Sequence, residues 1–211
     1  MPANGDRPSP HDRVGGLGPR VALVPVKAFA DAKQRLGPAL SPRARSHLAR
    51  AMAERVLAAA RPLPVAVVCD DLAVAGWARG RGALVIWEPG RGLNGAVEAG
   101  VVHLASMGVD QVTVAHGDLP YAAGLASVGA RPGITLVPDR ARNGTNVVVV
   151  PTGCGFRFAY GPGSFARHQS EADRLGLPVH VIDDPCLALD IDEPADVWSL
   201  LAEPIGSELL R

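Results

Sequence analysis

Gln111-Val112-Thr113-Val114-Ala115-His116-Gly117-Asp118-Leu119-Pro120 reads as a buried strand that empties into a single carboxylate followed by proline. Strand side chains alternate between faces, so an apolar run with no polar face has both of its faces covered, as in parallel sheets layered by helices. Open sheets of that kind do their chemistry at the carboxyl ends of the strands, where Asp118 falls. The same carboxylate equally serves as the cap of a helix starting near Tyr121.

Similar short apolar runs recur at Val21–Val26, Val65–Cys69, Ala83–Ile86, Ile134–Val137, Val147–Val150 and Val179–Ile182. Between the early runs lie helical patterns. One starts with Ser41 as cap and Pro42 in the first turn, and places Leu48, Met52 and Val56 on one face; another spans Asn94–Met107 with Val97, Val101 and Leu104 inward. Strand and helix in alternation predict an α/β fold, a three-layer sandwich around a mostly parallel sheet. After Val150 the rhythm gives way to a Gly/Pro/aromatic segment, then a helix, a strand and a last helix from Pro194.

The chain has 211 residues, enough for one sizeable domain, expected over 21–211. Met1–Arg20, rich in Gly and Pro without periodicity, is expected to be a flexible tail. Lys+Arg and Asp+Glu are 21 each, so no global field favours nucleic acid or an anionic membrane, and a small-molecule partner is expected. No apolar run approaches the roughly 18 residues of a membrane span and no secretory pattern opens the chain. Cys69, Cys154 and Cys186 form no C-x-x-C pair and are expected to be reduced, buried thiols of a cytoplasmic protein.

A second acidic tip, Asp190-Ile191-Asp192-Glu193-Pro194, puts two carboxylates on one side of an extended segment. Such neighbours raise each other's pKa, so a cation is a natural companion, and a few carboxylates with phosphate oxygens are a usual Mg²⁺ shell. The simpler reading is a cap for the helix at Pro194, favoured for Glu193. Lys27, Lys33 and Arg35 follow the first strand within nine residues and suit the phosphates of a triphosphate, or merely solvent. Neither a P-loop nor a GxGxxG turn is present.

Asn94 is expected to cap its helix and to meet a ribose or base. Asn143-Gly144 reads as a hairpin turn, and Ser164 as a cap whose helix start offers an anion pocket. Asp70 or Asp71 can pair with the N–H edge of guanine or cap the following helix. Neither His116 nor His168 has a Cys, Ser or His partner at a telling spacing, so no histidine-based acid–base catalysis is expected.

Taken in order, Val24-Pro25-Val26-Lys27, Ala32-Lys33 with Arg35-Leu36, Gly117-Asp118-Leu119-Pro120, Asp139-Arg140 with Gly144-Thr145, Gly161-Pro162 with Ser164 and Ala166-Arg167-His168, and Asp190-Ile191-Asp192 with Pro194-Ala195-Asp196 resemble the CofC/FbiD guanylyltransferases of coenzyme F(420) biosynthesis. That resemblance implies a Rossmann-related, glycosyltransferase-A-like nucleotidyltransferase using GTP and Mg²⁺. It implies metal at Asp118, Asp190 and Asp192, and the acceptor at Thr145, Gly161 and Ser164. Lys27 joins Asp118 as an expected catalytic residue, and Lys27, Lys33, Arg35 and Asn94 are the expected nucleotide contacts. The implied acceptor is phosphoenolpyruvate, with 2-phospho-L-lactate or 3-phospho-D-glycerate as alternatives, and the transferase that uses the adduct is an implied partner. A sugar-phosphate or molybdopterin nucleotidyltransferase and a non-catalytic nucleotide-binding module remain open on the residues alone.

Overall fold

The computed structural model describes residues 16–209. Most of the expected N-terminal tail, residues 1–15, lies outside them. Arg20, assigned to that tail, instead opens the first strand: its Nε donates to Gln111 Oε1 (2.9 Å) and its Nη2 to the Ala126 carbonyl (2.8 Å).

Seven strands form one sheet: β1 (Arg20–Pro25), β2 (Val65–Cys69), β3 (Leu84–Trp87), β4 (Gln111–Ala115), β5 (Ile134–Pro138), β6 (Thr145–Pro151) and β7 (Val179–Val181). Their order across the sheet is β3-β2-β1-β4-β6-β5-β7. All neighbouring pairs are parallel except the two made by β6, which runs against both β4 and β5. The mostly parallel sheet read from the apolar runs is therefore present, with one reversed strand that no run announced.

Helices α1 (Pro42–Ala59), α2 (Leu72–Gly80) and α3 (Gly92–Ser106) follow the first three strands, and α4 (Leu125–Val128) and α5 (Ser164–Arg174) come after β4 and β6. One face of the sheet packs on α1, α2 and α4 through Val24, Val147 and Val149, and the other on α3 and α5 through Leu23, Val148 and Val150. Alternation along each strand thus feeds two cores, which is why no strand shows a polar face. At the α3–β1 contact a Cβ on Gly100 would stand 2.9 Å from Leu23 Cδ2, so glycine there sets how closely the helix approaches the sheet.

Local signals act as the sequence suggests at several points. Ser41 Oγ accepts the Ala44 N–H (3.3 Å), and Leu48, Met52 and Val56 are fully buried. Glu193 is the N-cap of α6 (Pro194–Leu201), its N–H donating to the Asp196 carboxylate (2.8 Å); a short α7 (Pro204–Leu209) follows. Other local expectations fail. Tyr121 lies in a turn rather than a helix, so Asp118 caps nothing there. Cys69 alone of the three free cysteines is buried; Cys154 is half-buried and Cys186 exposed.

Candidate active site

The order β2-β1-β4 makes β1 a switch point: the chain leaves β1 for β2 on one side and returns from α3 to β4 on the other. The loops after β1 and β4 then diverge, and a crevice opens between their carboxyl ends. A cleft of about 980 Å³ occupies that place, lined among others by Lys27, Lys33, Asp118, Ser164, Asp190 and Asp192. Because β6 is antiparallel, its first residues lie on the same rim as the last residues of β4, with Ala115 opposite Val147. The reversed strand adds its own amino end to a rim otherwise built from carboxyl ends.

One wall is acidic. Lys33, at φ 54° between two 3-10 turns, sends its ammonium between the two acidic tips: Nζ lies 2.6 Å from Asp118 Oδ2 and 2.9 Å from Asp192 Oδ1. The ammonium itself is only 10 % exposed along its side chain. Burial alone would lower its pKa, but the two carboxylates outweigh burial and raise it, so it is charged. Burial would likewise raise Asp118; Lys33 overrides it and holds Asp118 below the usual carboxylate range. Asp190 gains less from Lys33. Burial, and then the charges of Asp118 and Asp192, push it up to about 6.

Lys33 therefore belongs with the carboxylates rather than beside Arg35, although Lys27 and Arg35, both exposed, line the same cleft. Among the described residues, no three His, Cys, Asp or Glu side chains converge closely enough to share an ion as they stand. The donor set nevertheless suits a hard cation. Asp118 Oδ1 is buried without a hydrogen-bond partner, and three carboxylates share one ammonium, leaving negative charge that Mg²⁺ would offset. His116 completes this wall. Burial lowers its pKa, and its Nδ1 lies 4.0 Å from Asp118 Oδ1.

The opposite wall presents hydroxyl and backbone groups to the cleft, its charged side chains Asp139 and Arg167 being tied to backbone partners, and is called the neutral wall below. Asp139 follows β5 and accepts the N–H groups of Asn143 (2.9 Å) and Gly144 (2.7 Å), folding residues 139–144 into a side-chain-closed loop rather than a two-residue hairpin turn. A Cβ on Gly144 would fall 2.6 Å from Asp139 Oδ2, so this loop needs glycine. Asn143 Oδ1 accepts the Gly163 N–H (3.0 Å), tying that loop to Gly161–Ser164. Arg167 clamps the same segment, its guanidinium donating to the carbonyls of Pro162 (2.6 Å) and Ala159 (2.7 Å). Gly163, not Ser164, is the N-cap of α5, and Ser164 is its first helical residue with its hydroxyl at the cleft.

Thr145 stands behind Ser164. The pairing of β5 with β6 shifts between Val137–Val147 and Pro138–Thr145, leaving Asn146 as an extra residue, a β-bulge. Strict alternation would put Thr145 on the face of Val147 and Val149. The bulge turns it to the other face, where its Oγ1 lies 3.0 Å from His168 Nδ1 and 3.3 Å from Ser164 Oγ. Asn146 is turned the opposite way and donates to the Leu187 carbonyl (2.9 Å), anchoring the loop that carries Asp190.

Two expectations change here. Asn94 is not a cap, since α3 begins at Gly92; its Oδ1 accepts the Tyr160 N–H (2.7 Å) and so braces the Gly/Pro/aromatic segment. Of the guanine candidates, Asp71 caps α2 by accepting the Val74 N–H (2.9 Å), while Asp70 lines the cleft. Asp139, Asn143 and His168 acquire structural roles in the neutral wall that sequence reasoning did not assign. An Asp four residues before Asn-Gly was the available signal for the loop; nothing in the spacing signalled His168.

A profile of the family described as guanylyl transferase CofC like matches residues 20–207. The chain belongs to that family. Among its relatives, a phosphoenolpyruvate guanylyltransferase of Sphaerobacter thermophilus is 37 % identical over 197 residues, covering 89 % of this chain and 95 % of the relative. A 2-phospho-L-lactate guanylyltransferase of Methanothermobacter thermautotrophicus is 33 % identical, over 88 % of this chain and 86 % of its own length. Among solved structures, a Desulfovibrio desulfuricans G20 protein described as a nucleotide-diphospho-sugar transferase superposes with a TM-score of 0.69 at 16 % identity, over 86 % of this chain and 84 % of its own. That likeness is one of fold. No described helix is long and apolar enough to cross a membrane.

Proposed function

We propose that the protein transfers the guanylyl group of GTP to the phosphate of phosphoenolpyruvate, giving enolpyruvoyl-2-diphospho-5'-guanosine and pyrophosphate. The observation that carries this reading is the pairing of an acidic wall with a neutral, hydroxyl-bearing wall across one cleft, in a chain 37 % identical to a protein of that name.

Two anions must meet in this reaction. An oxygen of the acceptor phosphate forms a bond to the α-phosphorus of GTP while the bond from that phosphorus to the bridging oxygen breaks, and pyrophosphate leaves with the electron pair. Asp118, Asp190 and Asp192 would hold Mg²⁺, which when bound offsets charge shared by the two substrates. Lys27 and Arg35, exposed on the loop after β1 and lining the cleft, would pair with the β and γ phosphates and with the departing pyrophosphate. Ser164 and the glycine-rich Gly161–Gly163 turn receive the anionic acceptor. The acceptor phosphate is ionised at neutral pH, so attack needs no strong general base, and the half-buried His116 is not assigned as one.

Pyrophosphate release from GTP, measured with phosphoenolpyruvate, 2-phospho-L-lactate and 3-phospho-D-glycerate in turn and followed by mass analysis of the adduct, tests the proposal. Phosphoenolpyruvate should give the highest kcat/KM and a guanosine diphosphate-linked adduct. Turnover with only another of the three acids would replace the acceptor, and turnover with none of them would sink the assignment.

A further inference from the structure

Lys33 stands where the role of its neighbours leaves it no room. Its Nζ takes Asp118 Oδ2 at 2.6 Å and Asp192 Oδ1 at 2.9 Å, so the ammonium lies between the two carboxylates. Mg²⁺ draws its oxygen ligands in to about 2 Å. That is closer than the ammonium holds either oxygen, and no ammonium fits between carboxylates drawn onto one ion. The spacing of the acidic groups agrees: among the described residues, no three His, Cys, Asp or Glu side chains converge closely enough to share an ion with Lys33 in this place. The lysine contact and a metal held jointly by Asp118 and Asp192 exclude one another.

The backbone on either side is anchored, which leaves the lysine side chain as the part able to exchange. Lys33 lies between 3-10 turns at Phe29–Asp31 and Gln34–Leu36. Phe29 is buried edge-on against Trp77, with ring centroids 5.1 Å apart. Leu36 is fully buried in one cluster with Leu48, Met52 and Ile191, the residue between Asp190 and Asp192. The loop and the acidic tip are therefore tied to the same core. Between these anchors Lys33 has φ 54°, in the left-handed region that a lysine seldom adopts. Its flexible four-carbon stem lets the ammonium leave the carboxylates without carrying the loop along. Lys27 and Arg35 line the same cleft, and a freed ammonium joins them there.

We infer that Lys33 is an exchangeable counter-cation of the acidic wall: it neutralises Asp118 and Asp192 until a divalent cation takes them, and its ammonium then turns to the phosphates of the nucleotide, an inference that rests on the reading of those two residues as metal ligands. One side chain then links the two binding events. Lys33 costs the metal some affinity and returns it when the nucleotide captures the displaced ammonium, so each ligand strengthens the other by the same factor.

The chain contains two lysines, Lys33, 10 % exposed along its side chain, and the exposed Lys27, which serves as an internal reference. Acetylation of each by an N-hydroxysuccinimide ester, followed by mass spectrometry, reads the exchange in the wild-type protein. In chelator Lys33 should react far more slowly than Lys27. Mg²⁺ alone should speed Lys33 severalfold and leave Lys27 unchanged, GTP added with Mg²⁺ should protect Lys33 again, and in Asp118→Asn the response to Mg²⁺ should be lost. Mn²⁺ binding without nucleotide, followed by loss of the free-ion electron paramagnetic resonance signal, should be roughly tenfold tighter in Lys33→Met, with Lys33→Arg close to wild type. If Mn²⁺ binds the wild type while Lys33 stays as protected with Mg²⁺ as in chelator, the exchange is wrong and the metal site stands. Equal Mn²⁺ affinity in Lys33→Met and wild type overturns it as well. Continued reactivity of Lys33 with Mg²⁺ and GTP together overturns the link to the nucleotide. If Mn²⁺ binds neither protein, the metal reading of the acidic wall itself fails.

Discussion

The two walls of the cleft solve the problem of binding anions in opposite ways. On the acidic wall charge is left over: one ammonium serves Asp118 and Asp192, Asp118 Oδ1 has no partner, and Asp190 is pushed up to about 6. On the neutral wall no formal charge enters the Ala159–His168–Thr145–Ser164 cluster, and its polar groups are already hydrogen-bonded to one another. A site with surplus charge depends on an ion to complete it, whereas one whose hydrogen bonds are already made is set before the ligand arrives. The difference separates what each wall contributes: the first offsets charge in the transition state, the second orients.

The most severe way to test the contrast is Asp118→Asn. If the acidic wall supplies transition-state charge stabilisation of several kcal/mol, turnover of GTP with phosphoenolpyruvate should fall by roughly a hundredfold or more while circular dichroism stays native. Wild-type rates would remove Asp118 from the metal site. Ser164→Ala, on the orienting wall, should act more gently, raising the acceptor KM by roughly tenfold and leaving the GTP KM within about twofold; a rise in both would mean the walls do not divide the substrates.

Stability gives a third contrast. Asp190 titrates at about 6 in the folded chain against an ordinary 3.8. Between those values the folded state binds the proton more tightly than the unfolded state, so the free energy of unfolding falls as pH rises through that window and stays reduced above it. In chelator at pH 7, Asp190→Asn should therefore stabilise the protein, by about 1 kcal/mol once solvent screening is allowed for, or ~2–4 °C in Tm. At pH 4 the gain should disappear. An equal gain at both pH values would show that charge is not its source. The smallest effect is expected from Asn94→Ala, which removes the brace on the Tyr160 N–H: a loss of about 1 kcal/mol with the GTP KM unchanged. A rise in the GTP KM would return Asn94 to the nucleotide side.

The acidic wall was the more legible of the two in the sequence. Apolar runs mark strands, strands of that kind imply covered parallel layers, and Asp118 and Asp190-Ile191-Asp192 fall where such layers present loops. The pairing of Lys33 was not legible, because its partners lie 85 and 159 residues away and only the packed sheet brings them together. The neutral wall hid for a different reason. The reversed direction of β6 leaves no trace in a run of valines that reads alike both ways, and the bulge that turns Thr145 towards Ser164 is not written in residue type. Ser164, Asn94 and Asp71 were all plausible caps by composition; only Asp71 fills that role, the others being taken up by tertiary contacts.

The extra residue in β6 has a consequence for how this wall tolerates change. Along a strand, side chains are read in twos, and Asn146 shifts that reading frame for Thr145 alone at the strand's entrance. Deleting Asn146 would leave the run of valines in place but restore the frame, carrying the threonine hydroxyl through the sheet to the side of α1 and away from His168. A single inserted residue, whose own side chain anchors the loop carrying Asp190, thus also decides which side of the sheet the hydroxyl serves.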